Sequence, residues 1–143
     1  MFVDGNTTTI VRHGNCATIL VQSDVDFGRV TIHCLIDGII HHSKKTKNIN
    51  YNIFGDENEI KEQIKDLKGN SFKIFDTKDK ILDTDSPLMA ARKGKNSSMW
   101  KAIESVKSKE SDIIISAGNT GALFVIAKMN LEMIENIDKP ALS

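Results

Sequence analysis

The segment Ile113-Ile114-Ile115-Ser116-Ala117-Gly118-Asn119-Thr120-Gly121-Ala122-Leu123 limits the fold more than any other part of the chain. A short, uncharged, β-branched run belongs in a strand covered on both faces, which is the usual situation of a parallel sheet. The small and polar residues that follow, Ser116 to Gly121, form a turn. Apolar sequence then resumes and predicts a helix to about Ile134. Its longest apolar run, Ala122 to Ala127, falls far short of the roughly 20 residues needed to cross a bilayer.

The same alternation of strand and helix recurs upstream. Ala17 to Val21 reads as a short strand. From Gly28, the apolar residues Ile32, Leu35, Ile36, Ile39 and Ile40 repeat at three- and four-residue intervals, so a helix is expected to end near Lys44 to Lys47. Asn50 to Phe54 is a strand closed by Gly55. Asp56 is a candidate N-cap, answered by Glu59, for a helix with a stripe of Ile60, Ile64 and Leu67 that stops at Gly69. Ser71 to Phe75 is the next strand. Asp85-Ser86-Pro87 opens a helix with proline in its first turn, Gly94 interrupts it, and Ser97 caps a further helix that buries Met99, Ala102, Ile103 and Val106. Alternating strands and helices of this kind predict an α/β domain of three layers, a parallel sheet with helices on both faces. Residues 1–16 are polar and aperiodic and are read as an irregular segment, with the domain proper over 17–143.

The 143 residues suffice for one domain with a core. Nineteen basic residues balance nineteen acidic ones, which argues against nucleic acid as a partner. Cys16 and Cys34 lack any CxxC or zinc-like spacing and suit a reduced compartment. With no apolar leader at the polar N-terminus, the reading is a cytoplasmic protein.

Two segments carry candidate chemistry. The turn Ser116 to Gly121 follows a strand and opens a helix, where free amides favour anions, and Gly118 and Gly121 let a ligand come close to the backbone. The same residues equally suit a tight βα turn that needs glycine. Between Asp85 and Met99 stand Arg92, Lys93, Lys95, Ser97 and Ser98, a set that could grip phosphate, a phosphopantetheine arm or an acidic carrier protein. Standing alone it is equally a solvated basic face with a serine cap. His41 and His42 fall at a helix end and are expected to be solvated, and Trp100 to be partly buried. His13 and His33 have no metal-ligand spacing, so no metal and no cofactor is expected. There is neither a P-loop, nor a GxGxxG fingerprint, nor a G-x-S-x-G elbow.

Taken together, Asp85-Ser86-Pro87-Leu88-Met89-Ala90-Ala91-Arg92-Lys93-Gly94-Lys95-Asn96-Ser97-Ser98-Met99 and Ile115 to Leu123 resemble the signature blocks of the bacterial phosphate acyltransferase family. Gly55-Asp56-Glu57 resembles the family's strand-end Gly-Asp-Glu, and Lys139-Pro140-Ala141-Leu142 also matches. The resemblance runs from about Asp26 to Ser143. It implies a Rossmann-like α/β/α fold and transfer of a fatty acyl group from acyl-carrier protein to inorganic phosphate, giving acyl phosphate for phospholipid synthesis. It further implies a cytoplasmic homodimer that feeds a membrane acyltransferase and so works peripherally at the inner membrane. On this reading Lys95 and Asn119 belong to the catalytic set. Arg92, Lys93, Ser97, Ser98, Ser116, Gly118, Thr120 and Gly121 bind phosphate and substrate. Ser97, Ser98 and Asn119 position groups rather than act as nucleophiles.

The chain also departs from the family. Where members carry Asp-Ala-Met-Gly-Gly-Asp-x-Gly-Pro, this sequence reads Val21-Gln22-Ser23-Asp24-Val25-Asp26-Phe27-Gly28-Arg29. Side chains at Asp24 and Val25 would crowd a backbone-bound ligand, and Asp24 would repel phosphate. Members are also longer, so the sheet is expected to be incomplete, as from a split or frameshifted gene. Three readings follow: a working acyltransferase completed by a second polypeptide, an inactive remnant or assembly partner, and a free-standing phosphate- or nucleotide-binding module.

Overall fold

A computed structural model describes residues 16–20, 28–46, 49–65, 72–82 and 84–133. The elements run β1 (Cys16–Leu20), α1 (Gly28–Lys45), β2 (Asn50–Gly55), α2 (Glu57–Gln63), β3 (Phe72–Asp76), α3 (Pro87–Lys93), α4 (Ser98–Lys107), β4 (Ile113–Ser116) and α5 (Thr120–Asn130). The strands form one parallel sheet in the order β3-β2-β1-β4. Alternate side chains serve opposite layers. Tyr51, Ile53, Phe72, Ile74 and Ile115 join Ile36 and Ile39 of α1 and Ile60 of α2 on one face. Phe54, Phe75 and Ile114 join the residues of α3, α4 and α5 on the other. The expected three-layer, Rossmann-like arrangement is therefore present.

Each layer is held by the burial its sequence pattern implies. Ile36, Ile39, Ile53, Ile60, Met99 and Ile103 are all at most 3% exposed, and each such side chain contributes about 1.5–3 kcal/mol of transfer free energy. One polar network lies inside the α4 layer. Asn52 Nδ2 donates to Ser111 Oγ at 3.0 Å, Ser105 Oγ donates to the Ala102 carbonyl at 2.8 Å, and the Ser105 and Ser111 hydroxyls are hydrogen-bonded to each other at 3.3 Å. These bonds offset the cost of burying hydroxyls and an amide beneath the sheet.

Asp56 and Ser97 cap the helices the sequence assigned to them, and Ser86 and Asn119 prove to be caps as well. Asp56 accepts from the amides of Asn58 and Glu59, Ser86 from Met89, Ser97 from Trp100, and Asn119 from Ala122. Pro87 opens α3 and Gly94 closes it. Trp100 is buried more fully than expected, at 9% exposure.

Three expectations need correction. α2 closes at Ile64, whose amide donates to the Ile60 carbonyl, rather than continuing through Leu67 to Gly69; residues 66–70 lie outside the described set. α5 ends at Asn130 instead of near Ile134, because Leu131 adopts extended angles and packs into the core. His42 is half-buried rather than solvated, with Nδ1 2.7 Å from the buried Tyr51 hydroxyl, which needs a polar partner beneath α1. Residues 1–15, the departing stretch 21–27, and the Lys139–Leu142 match also lie outside the described residues. Among the described residues, no helix is long and apolar enough to cross a membrane.

Candidate functional site

All four strands are parallel, so their carboxyl ends share one edge. From β1 the chain steps through β2 to β3 and then returns to place β4 on the other side of β1. This reversal between β1 and β4 is the switch point at which open α/β sheets bind ligands. The bend leaving β4 is built from Ser116 to Thr120. Ser116 Oγ accepts from the Gly118 amide at 3.3 Å, which shapes the turn locally. Asn119 then does two things. Its Oδ1 caps α5 by accepting from the Ala122 amide at 2.9 Å. Its Nδ2 donates to the carbonyls of Leu82 and Asp85 at 3.0 and 3.1 Å.

The tie reaches a loop that is itself closed. Asp85 Oδ2 accepts from the Leu82 amide at 2.9 Å, and the Asp85 amide donates to the Leu82 carbonyl at 3.0 Å. Ser86 then caps α3, which packs its first residue on α5. A Cβ added at Gly121 would stand 2.7 Å from Pro87 Cγ. Gly121 is thus explained by the approach of α3, whatever access it also gives a ligand.

Asp85 of this loop also lines an open cleft of about 340 Å³, together with Lys78, Lys80, Met89, Lys93 and Ser97 among others. Its size falls within the ordinary range for small-molecule sites. Lys93 stands in the last turn of α3 and is exposed. Ser97 is 1% exposed, with Oγ donating to the Gly94 carbonyl at 2.6 Å and accepting from the Trp100 amide at 3.3 Å. Ser98 is also buried, and its amide donates to the Asp79 carbonyl at 3.4 Å. These two serines therefore fix the cleft wall. Gly94 is close-packed too, since a Cβ there would meet the Ala90 carbonyl at 2.5 Å.

The expected site residues thus fall into two groups joined by the Leu82–Ser86 loop. Ser116, Gly118, Asn119, Thr120 and Gly121 form the bend; Lys93 and Ser97 line the cleft, with Ser98 just behind. Arg92 and Lys95 are exposed and outside the cleft lining, although both stand within two residues of Lys93.

A cluster that the sequence reading did not single out as charged partners lies next to the cleft. Lys78 Nζ is 3.1 Å from Asp76 and 3.3 Å from Asp56, across the carboxyl ends of β3 and β2. Asp76 also accepts from the Glu57 amide at 3.1 Å. The amide of Glu59 does most to hold the Asp56 carboxyl below the ordinary carboxylate range, with Asn58 and Lys78 adding to it. For Asp76 the Glu57 amide leads, followed by Lys78, and the two carboxylates raise the Lys78 ammonium above its usual value. The start of α2 is therefore filled by the protein's own carboxylates. A signal existed: an acidic residue ends each of two neighbouring strands, and a lysine follows the second at i+2.

The arrangement offers cations and polar anchors, and among the described residues no group of three or more His, Cys, Asp or Glu side chains could hold a metal ion.

The family model described as "Fatty acid synthesis protein" matches residues 24–143. The chain is 62% identical over 109 residues to the phosphate acyltransferase of Pelagibacter ubique, an alignment covering 76% of this chain and 33% of the relative. It is 38% identical over 120 residues to that of Ehrlichia chaffeensis, covering 82% and 35%, and 36% identical over 118 residues to that of Clostridium novyi, covering 81% and 36%. The matched blocks include both the β4–α5 bend and the α3–α4 segment. This chain belongs to the phosphate acyltransferase family and spans about a third of the length of the relatives it matches.

Proposed function

We propose that the chain forms the phosphate and thioester end of an acyltransferase that moves a fatty acyl group from acyl-carrier protein to inorganic phosphate. The observation that carries this reading is the tie made by Asn119, which joins the switch-point bend to the loop that walls the lysine-bearing cleft. An oxygen of hydrogen phosphate attacks the thioester carbonyl carbon, and a tetrahedral oxyanion forms. The carbon–sulfur bond then breaks, and the carrier thiolate takes the proton that phosphate releases. No protein nucleophile is required. The protein's part is to hold two anionic partners together and to offset charge on the oxyanion. In this reading Lys93, which lines the cleft, serves the first task, and backbone amides of the bend other than that of Gly118, which Ser116 already occupies, serve the second. Arg92 and Lys95, on the exposed rim, suit contact with the acidic carrier. A homodimer, and delivery of product to a membrane acyltransferase, belong to the same proposal through the family resemblance alone.

The test is to co-express the chain with the remaining two thirds of the Pelagibacter ubique relative and to trap acyl phosphate with hydroxylamine. Phosphate-dependent acyl hydroxamate is expected. Lys93→Ala should raise the KM for phosphate at least tenfold, and Lys95→Ala the KM for acyl-carrier protein. Equal turnover and unchanged KM values in both variants would refute these roles.

A further inference from the structure

Lys78 belongs to two neighbouring sites at once. Its Nζ is 3.1 Å from Asp76 and 3.3 Å from Asp56, and the same residue lines the cleft that holds Lys80 and Lys93. The two carboxylates are anchored by the backbone. Asp56 Oδ1 accepts from the amides of Asn58 and Glu59 and leaves Oδ2 to the lysine, while Asp76 Oδ1 accepts from the amide of Glu57. Lys78 is the long, flexible member of the group, and its side chain is 61% exposed. Exposed ion pairs of this kind are weak, so the ammonium can swing away at small cost, and both carboxylates keep their amide partners when it does.

The cleft gives the ammonium a second place to act. Lys78, Lys80 and Lys93 line it against Asp79 and Asp85, and Asp85 turns one oxygen back to its own loop, where it accepts from the Leu82 amide at 2.9 Å. Lys93 stands on α3 and Lys78 two residues past the end of β3, so an anion between them is held from two separate elements. A lysine ammonium is a compact point charge well suited to phosphate. Asp56 and Asp76, both held below the ordinary carboxylate range, are ionised at neutral pH and compete for it.

We propose that Lys78 is a shared cation: Asp56 and Asp76 hold it at the edge of the cleft, and a phosphoryl anion entering between Lys78 and Lys93 draws it away from them. The two carboxylates thereby weaken anion binding and set its strength. The phosphoryl group is that of inorganic phosphate or of a phosphopantetheine arm. That choice of ligand rests on the proposed acyl transfer, whereas the competition for Lys78 does not.

The test uses the chain alone. Inorganic phosphate and phosphopantetheine are titrated separately at constant ionic strength, and the side-chain NMR signals of Lys78, Lys93, Asp56 and Asp76 are followed. Saturable binding of at least one probe should move all four; binding of phosphate alone assigns the free ion, and of phosphopantetheine alone the arm. Lys78→Met should weaken that binding about fivefold or more. Asp76→Asn, which keeps an acceptor for the Glu57 amide, should tighten it about two- to fivefold. Combined with Lys78→Met, Asp76→Asn should lose most of that gain. Lys65→Met, exposed and outside the cleft lining, should leave the affinity unchanged. Weaker binding in Asp76→Asn would make the carboxylates supports rather than competitors, and an equal gain with and without Lys78 would reduce them to repulsion at a distance. Either result, a Lys78→Met variant that binds as the parent does, or the absence of saturable binding by both probes would overturn the proposal. Binding with the expected signs, in a chain whose reconstituted complex transfers no acyl group, would sink the proposed activity and leave the shared cation standing.

Discussion

Two glycines within helices predict stability changes of opposite sign. An added Cβ at Gly121 falls 2.7 Å from Pro87 Cγ, about 1 Å inside the favourable carbon–carbon separation. Pro87 cannot swing aside, because its ring is fixed and it is the first residue of α3. α3 must therefore slide relative to α5. Overpacking of this kind costs about 1–3 kcal/mol, and the helix-propensity gain of alanine over glycine returns at most about 1 kcal/mol. A net loss of about 1–2 kcal/mol follows for Gly121→Ala. Gly38, in the middle of α1, has nothing within 4 Å of the same added atom. Gly38→Ala should therefore gain about 0.5–1 kcal/mol from propensity alone. The two variants should differ by about 1.5–3 kcal/mol in urea unfolding. At about 3–5 °C per kcal/mol for a chain of this size, they should part clearly in Tm. If Gly121→Ala is as stabilising as Gly38→Ala, α3 does not rest on α5 as described, and the wall of the cleft is misplaced.

Other perturbations test separate contacts. Asn119→Asp keeps the cap on Ala122 but turns an oxygen toward the Leu82 and Asp85 carbonyls, so a loss of about 1–3 kcal/mol in urea unfolding is expected. Ser111→Ala strands the Asn52 amide beneath the sheet and should likewise cost about 1–3 kcal/mol, with Asn52→Leu in the same chain restoring part of it. Asp56 and Asp76 have depressed carboxyl pKa values in the folded state, so the stability they contribute is present above the ordinary carboxylate range and is lost as pH falls through their folded values. Lys78→Met should move both carboxyl titrations upward in an NMR pH series. The contribution from the raised ammonium of Lys78 has the opposite sense, present below the ordinary lysine value and lost as pH climbs through the folded one.

The sequence disclosed most of the frame because local signals and burial agree there. Strand runs, Asp56 and Ser97 as caps, and Pro87 as a helix start can each be read within a few residues. Helix lengths were harder, since Leu131 leaves α5 to pack in the core, a tertiary preference that periodicity along the chain does not encode. His42 was misplaced for a similar reason: its partner Tyr51 is nine residues away, on the next strand. At the site, the turn residues and cations were visible as types, but their grouping was not. Separation into bend and cleft depends on the Leu82–Ser86 loop, which Asn119 reaches across 34 and 37 residues of sequence. Lys78 was passed over because its pairing joins two strand ends that only the sheet order makes neighbours.

The account stands or falls on whether phosphate itself becomes part of the product. The reconstituted pair, supplied with acyl-carrier thioester and fully oxygen-18-labelled phosphate, should give acyl phosphate that retains all four labelled oxygens by mass spectrometry. Free fatty acid formed at the same rate with or without phosphate, from a complex that is folded and intact, would contradict it.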